Sequence, residues 1–205
     1  MQSKPEQWVT DSAMGEEYAA SLGDARLDRR AKRIGVTVAH SPELSIPKLF
    51  QTEADIEGTY RLLRNEDVEW RALLAPHLER TAQRASDAAT VIVAHDTTDV
   101  VFPLYWPEDR RRHMTSMSSR TQGFVLHAAV CSTASGPALP LGVMDLQPFV
   151  HRSALPADAP ETEAFWQAES GLFDNEHARW ARGVAGADDD LRFQGVSPIH
   201  VMDRE

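Results

Sequence analysis

Two apolar runs in this chain each deliver an aspartate. Val91-Ile-Val-Ala-His-Asp-Thr-Thr98 places Asp96 after a β-branched stretch, and Pro198-Ile-His-Val-Met-Asp-Arg-Glu205 does the same with Asp203. If the two runs are neighbouring strands, the carboxylates lie side by side. Paired carboxylates are hard oxygen donors of the kind that hold Mg²⁺, or Mn²⁺ in its place. Phosphodiester cleavage and strand transfer use such ions, about 3.5–4 Å apart, to activate the attacking oxygen and stabilise the leaving one. Taken singly, an aspartate after a strand is more commonly a turn or helix cap. The shared setting of the pair is what points to a metal.

Other residues could carry chemistry, each with a plainer reading beside it. His95 adjoins Asp96, but successive strand residues point to opposite faces, which puts His95 on the far side. His127 reads as a core histidine or as a neighbour of the site. Thr97 and Thr98 are expected to orient a loop after the first strand through hydroxyl contacts to backbone. Arg204 could pair with an acid or phosphate near Asp203. Trp166 and Trp180 read as core. Arg26, Arg29, Arg30 and Arg33 are spaced so that several share one side of a helix. By composition alone that is a solvated surface face; against a groove of DNA, the same guanidiniums would meet phosphates or base edges. Lys48 and Arg61 are weaker candidates for the same role. Arg110-Arg-Arg112, with Arg120, falls in a long loop, solvated by default.

These residues need elements to position them. From Trp8 to about Arg84 the pattern is helical, with helices expected over 16–22, 25–39, 51–64 and 68–84. Asp24 is a candidate N-cap, and Pro76 is tolerable only as a kink or a helix start. Past residue 86 the texture changes. Strands are expected over 90–95, 123–131, 138–146 and 199–202, with the middle two forming a hairpin around Ser135-Gly-Pro137. Helical candidates at 161–166 and 176–184 precede a polar loop, Ala187-Asp-Asp-Asp190. The expected fold class is α+β: a small helical domain over 1–85, then an α/β domain with a mixed sheet over 86–205.

The 205 residues suffice for one large domain or two small ones. A single cysteine, Cys131, inside an apolar run excludes a disulfide framework and fits a reducing cytoplasm. No apolar stretch approaches a membrane span, and the first residues lack a signal peptide's apolar region. A net charge of −10 speaks against a dedicated, uniformly basic nucleic-acid binder. The acid is weighted toward residues 151–205, however, and the Arg26–Arg33 cluster is locally basic.

Several segments, in order, resemble the DDE transposases of bacterial insertion sequences, in the Tn-five-like (insertion-sequence-four) group. Leu22-Gly-Asp-Ala-Arg26-Leu27 with Arg30 looks like the group's N-terminal signature. Gly58-Thr-Tyr-Arg-Leu-Leu-Arg-Asn65 looks like its following helix. His95-Asp-Thr-Thr98 looks like its first catalytic motif, Gly123-Phe-x-x-His127 like the next strand, and Asp203-Arg-Glu205 like the opening of its second motif. The resemblance runs from Trp8 to Glu205. It implies a helical domain that binds double-stranded DNA at transposon ends through Arg26 and Arg30. It also implies an incomplete ribonuclease H-like domain in which Asp96 and Asp203 match the first two catalytic, metal-binding aspartates, and a homodimer for full-length members.

The family's third acid, a glutamate in a Tyr-x-x-Arg-x-x-x-Glu motif, has no counterpart in this sequence. The chain is therefore expected to be the front part of a catalytic protein, inactive alone, with its apolar sheet incompletely covered. Two other readings stay open: a DNA-binding-only protein that occupies transposon ends as an inhibitor, and an unrelated small hydrolase using Asp96 and Asp203 with one metal.

Overall fold

The computed structural model describes residues 15–103, 115–118, 121–149 and 176–202. The chain divides into two compact units, Met1–Arg80 and Thr81–Glu205.

Unit 1 is helical. Its described part opens on a helical turn over 15–17. The helix expected over 16–22 stops there, and the Leu22 N–H donates to Asp28 Oδ1 at 2.7 Å. Gly23 follows with φ of 79°, a left-handed turn that favours glycine. Helix α1 (Ala25–His40) then begins, its N-cap Asp24 accepting the Arg26 N–H at 2.7 Å. A short α2 (Ile46–Leu49) carries Pro47 in its first turn. In α3 (Glu53–Leu63), the Thr52 hydroxyl caps the helix by accepting the Asp55 N–H. Helix α4 (Trp70–Ala85), whose residues from Thr81 on belong to unit 2, keeps Pro76 in its interior. That proline removes one N–H from the ladder, and the helix continues past it.

Helices α1 and α3 pack on each other. Ala31 is buried on α1, Gly58, Thr59 and Leu62 on α3, and Phe50 between α2 and α3. Two glycines permit close approaches. The Tyr18 ring lies where a side chain on Gly35 would stand, and the Arg30 guanidinium lies where one on Gly58 would stand.

Unit 2 contains a five-stranded mixed sheet: β1 (Thr90–Pro103), β2 (Thr115–Ser118), β3 (Thr121–Thr133), β4 (Pro140–Phe149) and β5 (Ser197–Met202). Strand β1 pairs antiparallel with the whole of β3 and parallel with β5. Strands β2 and β4 follow one another along the opposite edge of β3, both antiparallel to it. The β3–β4 hairpin turns through Gly136, with φ of 72°.

Three expectations need correction. Strand β1 does not stop at His95; it runs on to Pro103, so Asp96, Thr97 and Thr98 are strand residues and not a loop. The reason is pairing: β3 offers partners as far as Thr121, and the β-branched and aromatic residues beyond Asp96 suit a strand. The short strand β2 was not anticipated. The run 187–190 is not a loop but part of α5 (Glu176–Phe193). There the acids Asp189 and Asp190 face solvent, while Gly183, Ala187 and Leu191 form a buried stripe at a spacing of four. The candidate helix at 161–166, the arginines at 110–112 and 120, and Asp203, Arg204 and Glu205 lie outside the described residues.

That stripe seats α5 across β1, β3, β4 and β5. Val91 and Val93 of β1, Ala129 and Cys131 of β3, and Met144 of β4 close the core beneath it. The opposite face of the sheet carries Ala94, Asp96 and Thr98, all exposed, with Ile199 and Val201 of β5 about half exposed beside them. Replacing Leu191, fully buried, with alanine is expected to destabilise unit 2 by about 2–5 kcal/mol. Urea unfolding of the variant beside the native chain measures this.

Candidate nucleic-acid interface and carboxylate site

In unit 1 the four arginines of α1 converge. Arg26, Arg29, Arg30 and Arg33 line one cavity of about 340 Å³, closed by Ile34 of α1, Phe50, and Asp55 and Thr59 of α3. Their spacing along α1 places them on one side, and the packing of α3 supplies the facing wall. All four are exposed. Arg30 donates to the Gly58 carbonyl at 3.4 Å, and Arg33 pairs with Asp55 at 2.9 Å. One carboxylate against four guanidiniums leaves the cavity cationic within an acidic chain. Such a cavity suits phosphate oxygens, which guanidinium forks bind in pairs of hydrogen bonds.

Lys48 is exposed at the end of α2, and Arg61 pairs with Glu57 one turn back on α3; neither lines the cavity. Sequence reasoning missed Asp55 and Thr59. Thr52 followed by Asp55 three residues on is a helix-start pattern that could have drawn attention to this end of α3.

In unit 2 Asp96 stands on the face of β1 away from α5, exposed, with Oδ1 accepting the Thr97 N–H at 2.8 Å. The two strands that carry the aspartate motifs are neighbours and parallel, and their pairing is described from Thr90 opposite Ser197 to His95 opposite Met202. Asp203 is the next residue in sequence and lies outside the described set. Among the described residues no group of three or more His, Cys, Asp or Glu could hold a metal ion. Asp96 by itself is an accessible hard-oxygen donor, which matches the ligand chemistry of Mg²⁺ or Mn²⁺.

Beneath the same stretch of sheet, α5 covers a polar cluster. His95 is 3% exposed and His127 fully buried. His95 Nε2 is 2.8 Å from His200 Nδ1, and His200 Nε2 is 3.1 Å from Asp188 Oδ1. A carboxylate only accepts, so His200 donates from Nε2. With both rings neutral, His95 then donates from Nε2 to His200 Nδ1. Burial pushes Asp188 upward, but hydrogen bonds from His200 and Arg192, and the charge of Arg192, outweigh it and hold the carboxyl below its ordinary value. On the other side the Thr97 hydroxyl is 3.1 Å from His127 Nδ1, and Trp180 of α5 lies against the His127 ring. Thus His95 sits on the far face from Asp96, as the strand alternation predicts. Thr97 contacts a buried histidine and not loop backbone. The partnership of His95 with His200 and Asp188 was hidden while residues 187–190 read as a loop.

His95 is held neutral. Burial, then the neighbouring His200 and His127, lower the pKa of His95 from 6.5 to about 4. Cys131, in the core, is pushed up to about 11 by burial, which makes it an unreactive thiol.

Residues 5–68, within unit 1, match the family described as transposase DNA-binding. The match supports a DNA-binding transposase, with DNA as its partner. No curated protein matches the chain. No helix among the described residues is long and apolar enough to cross a membrane.

Two predictions follow from the histidine cluster. Because the folded pKa of His95 lies below the unfolded value, the unfolded chain takes up a proton that the native chain refuses between pH 6.5 and about 4. Stability therefore falls as pH falls through that window, by about 3 kcal/mol from this residue at pH 4. Urea midpoints compared between pH 7 and pH 4.5 should show a smaller loss in His95→Asn than in the native chain. A Cβ at Gly183 would stand 3.1–3.3 Å from His127 Nε2, His95 Nδ1 and Asp145 Oδ2. Gly183→Ala should thus lower thermal stability by about 1–3 kcal/mol, although alanine is the better helix former.

Proposed function

We propose that this chain is a transposase polypeptide of the DDE type, similar to the Tn-five-like (insertion-sequence-four) group, whose unit 1 binds double-stranded DNA at transposon ends. The observation that carries the reading is the convergence of Arg26, Arg29, Arg30 and Arg33 on one cationic cavity inside the segment matching the transposase DNA-binding family. All four guanidiniums are exposed and can meet the DNA. Arg33, also exposed, is held by Asp55 and serves as a positioned charge.

Unit 2 is read as a ribonuclease H-like domain. Three antiparallel strands, β4, β3 and β1, with a fourth, β5, added parallel to β1, support that reading. So does the place of Asp96 on the central strand. One further residue of the parallel register would bring Asp203 opposite Asp96, and the two carboxylates would hold Mg²⁺ or Mn²⁺. A metal bound there would supply the charge stabilisation that phosphodiester cleavage needs. Asp96 contributes an accessible oxygen to it, and the buried histidines keep the strand beneath that oxygen in one conformation.

Fluorescence anisotropy with duplex DNA carrying the flanking inverted repeat, over a salt series, tests the reading. Sequence-specific binding should weaken steeply with salt. The double substitution Arg26→Ala/Arg30→Ala should reduce affinity by roughly tenfold or more. Equal binding to unrelated duplexes, or no effect of the double substitution, would refute the assignment of these arginines. A metal-dependent nicking activity abolished by Asp96→Ala would refute the expectation of inactivity.

A further inference from the structure

Thr97 is bonded on both sides of the sheet. Its backbone N–H donates to Asp96 Oδ1 at 2.8 Å on the open face, and its hydroxyl meets His127 Nδ1 at 3.1 Å beneath α5. His127 is fully buried, stacked near His95 and packed against the Trp180 ring, so its imidazole cannot swing away. Thr97 is β-branched, which restricts its side chain, and a fixed hydroxyl restricts it further. The residue whose amide holds one oxygen of Asp96 is therefore anchored from the opposite face of the sheet.

We propose that Thr97 and His127 are positioning residues for the Asp96 carboxylate: His127 fixes the Thr97 hydroxyl, and Thr97 fixes Asp96 Oδ1, leaving the second carboxylate oxygen for a divalent cation. The proposal rests on the reading of Asp96 as a metal-binding carboxylate. Hydrogen-bonded partners behind a metal-binding group orient it, and removing them weakens metal binding by roughly tenfold to a hundredfold.

The experiment is a Mn²⁺ titration of the full ¹⁵N-labelled chain, followed by paramagnetic broadening of the amides that flank residue 96, with the Thr97 amide proton shift read before metal is added. Asp96→Asn should abolish the broadening. Thr97→Val, which keeps the shape and removes the hydroxyl, and His127→Phe should raise the apparent Kd by roughly tenfold and shift the Thr97-position amide proton upfield, with well-dispersed spectra. Thr97→Ser, which keeps the hydroxyl, and His127→Asn, which keeps a hydrogen-bonding atom near the Nδ1 position, should restore both readouts. If Mn²⁺ causes no local broadening in the native chain, or Asp96→Asn leaves it unchanged, the metal reading of Asp96 fails and the proposal with it. If Asp96→Asn abolishes binding while Thr97→Val binds as the native chain does, the positioning role alone is refuted. Should His127→Phe fail to fold, the Thr97→Val and Thr97→Ser pair decides.

Discussion

Alternate side chains of β1 leave the strand on opposite faces, and the arrangement of unit 2 follows from that alternation. Val91, Val93, His95 and Thr97 point toward α5, while Ala94, Asp96 and Thr98 point away from it. One strand thereby supplies both the floor of the core and the open carboxylate. The parallel pairing of β1 with β5 puts His200 beside Val93 on the core face, within reach of His95. A shift of register by one residue would expose the histidines and bury the aspartate. The small stripe of α5, with Gly183 directly over the histidines, permits the helix to lie close enough to cover them.

Burying three imidazoles under a helix is costly unless each finds a partner. The structure meets much of that cost by chaining them: Arg192 to Asp188, Asp188 to His200, and His200 to His95. Thr97 engages His127 from the second side. Unit 1 solves a different problem. Its arginines repel one another, and Asp55 with the Gly58 carbonyl offsets part of that repulsion while leaving the cavity cationic.

Much of this could be read from residue types. The β-branched runs at 90–95 and 199–202 announced strands, Ser135-Gly-Pro137 announced a hairpin, and the spacing from Arg26 to Arg33 put the guanidiniums on one side of a helix. What was illegible depended on distant partners. Asp96-Thr-Thr-Asp99 looks like a turn until β3 is there to pair with it. Asp188-Asp-Asp190 looks like a loop because its helical signal is carried by glycine and alanine, whose apolar stripe is faint without a sheet beneath. The arginine cavity exists only because α3 brings Asp55 and Thr59 opposite α1.

The pairing of Thr90 with Ser197 also has a temporal side. More than a hundred residues separate the partners, so closing that contact carries a large loop-closure entropy and belongs among the slower steps of folding. Strands β1, β3 and β4 form a meander of sequence neighbours and can assemble during synthesis, before β5 has been made. Until then the amide edge of β1 that β5 will occupy is open. A nascent or arrested chain presents that edge to any extended peptide, which would compete there with β5.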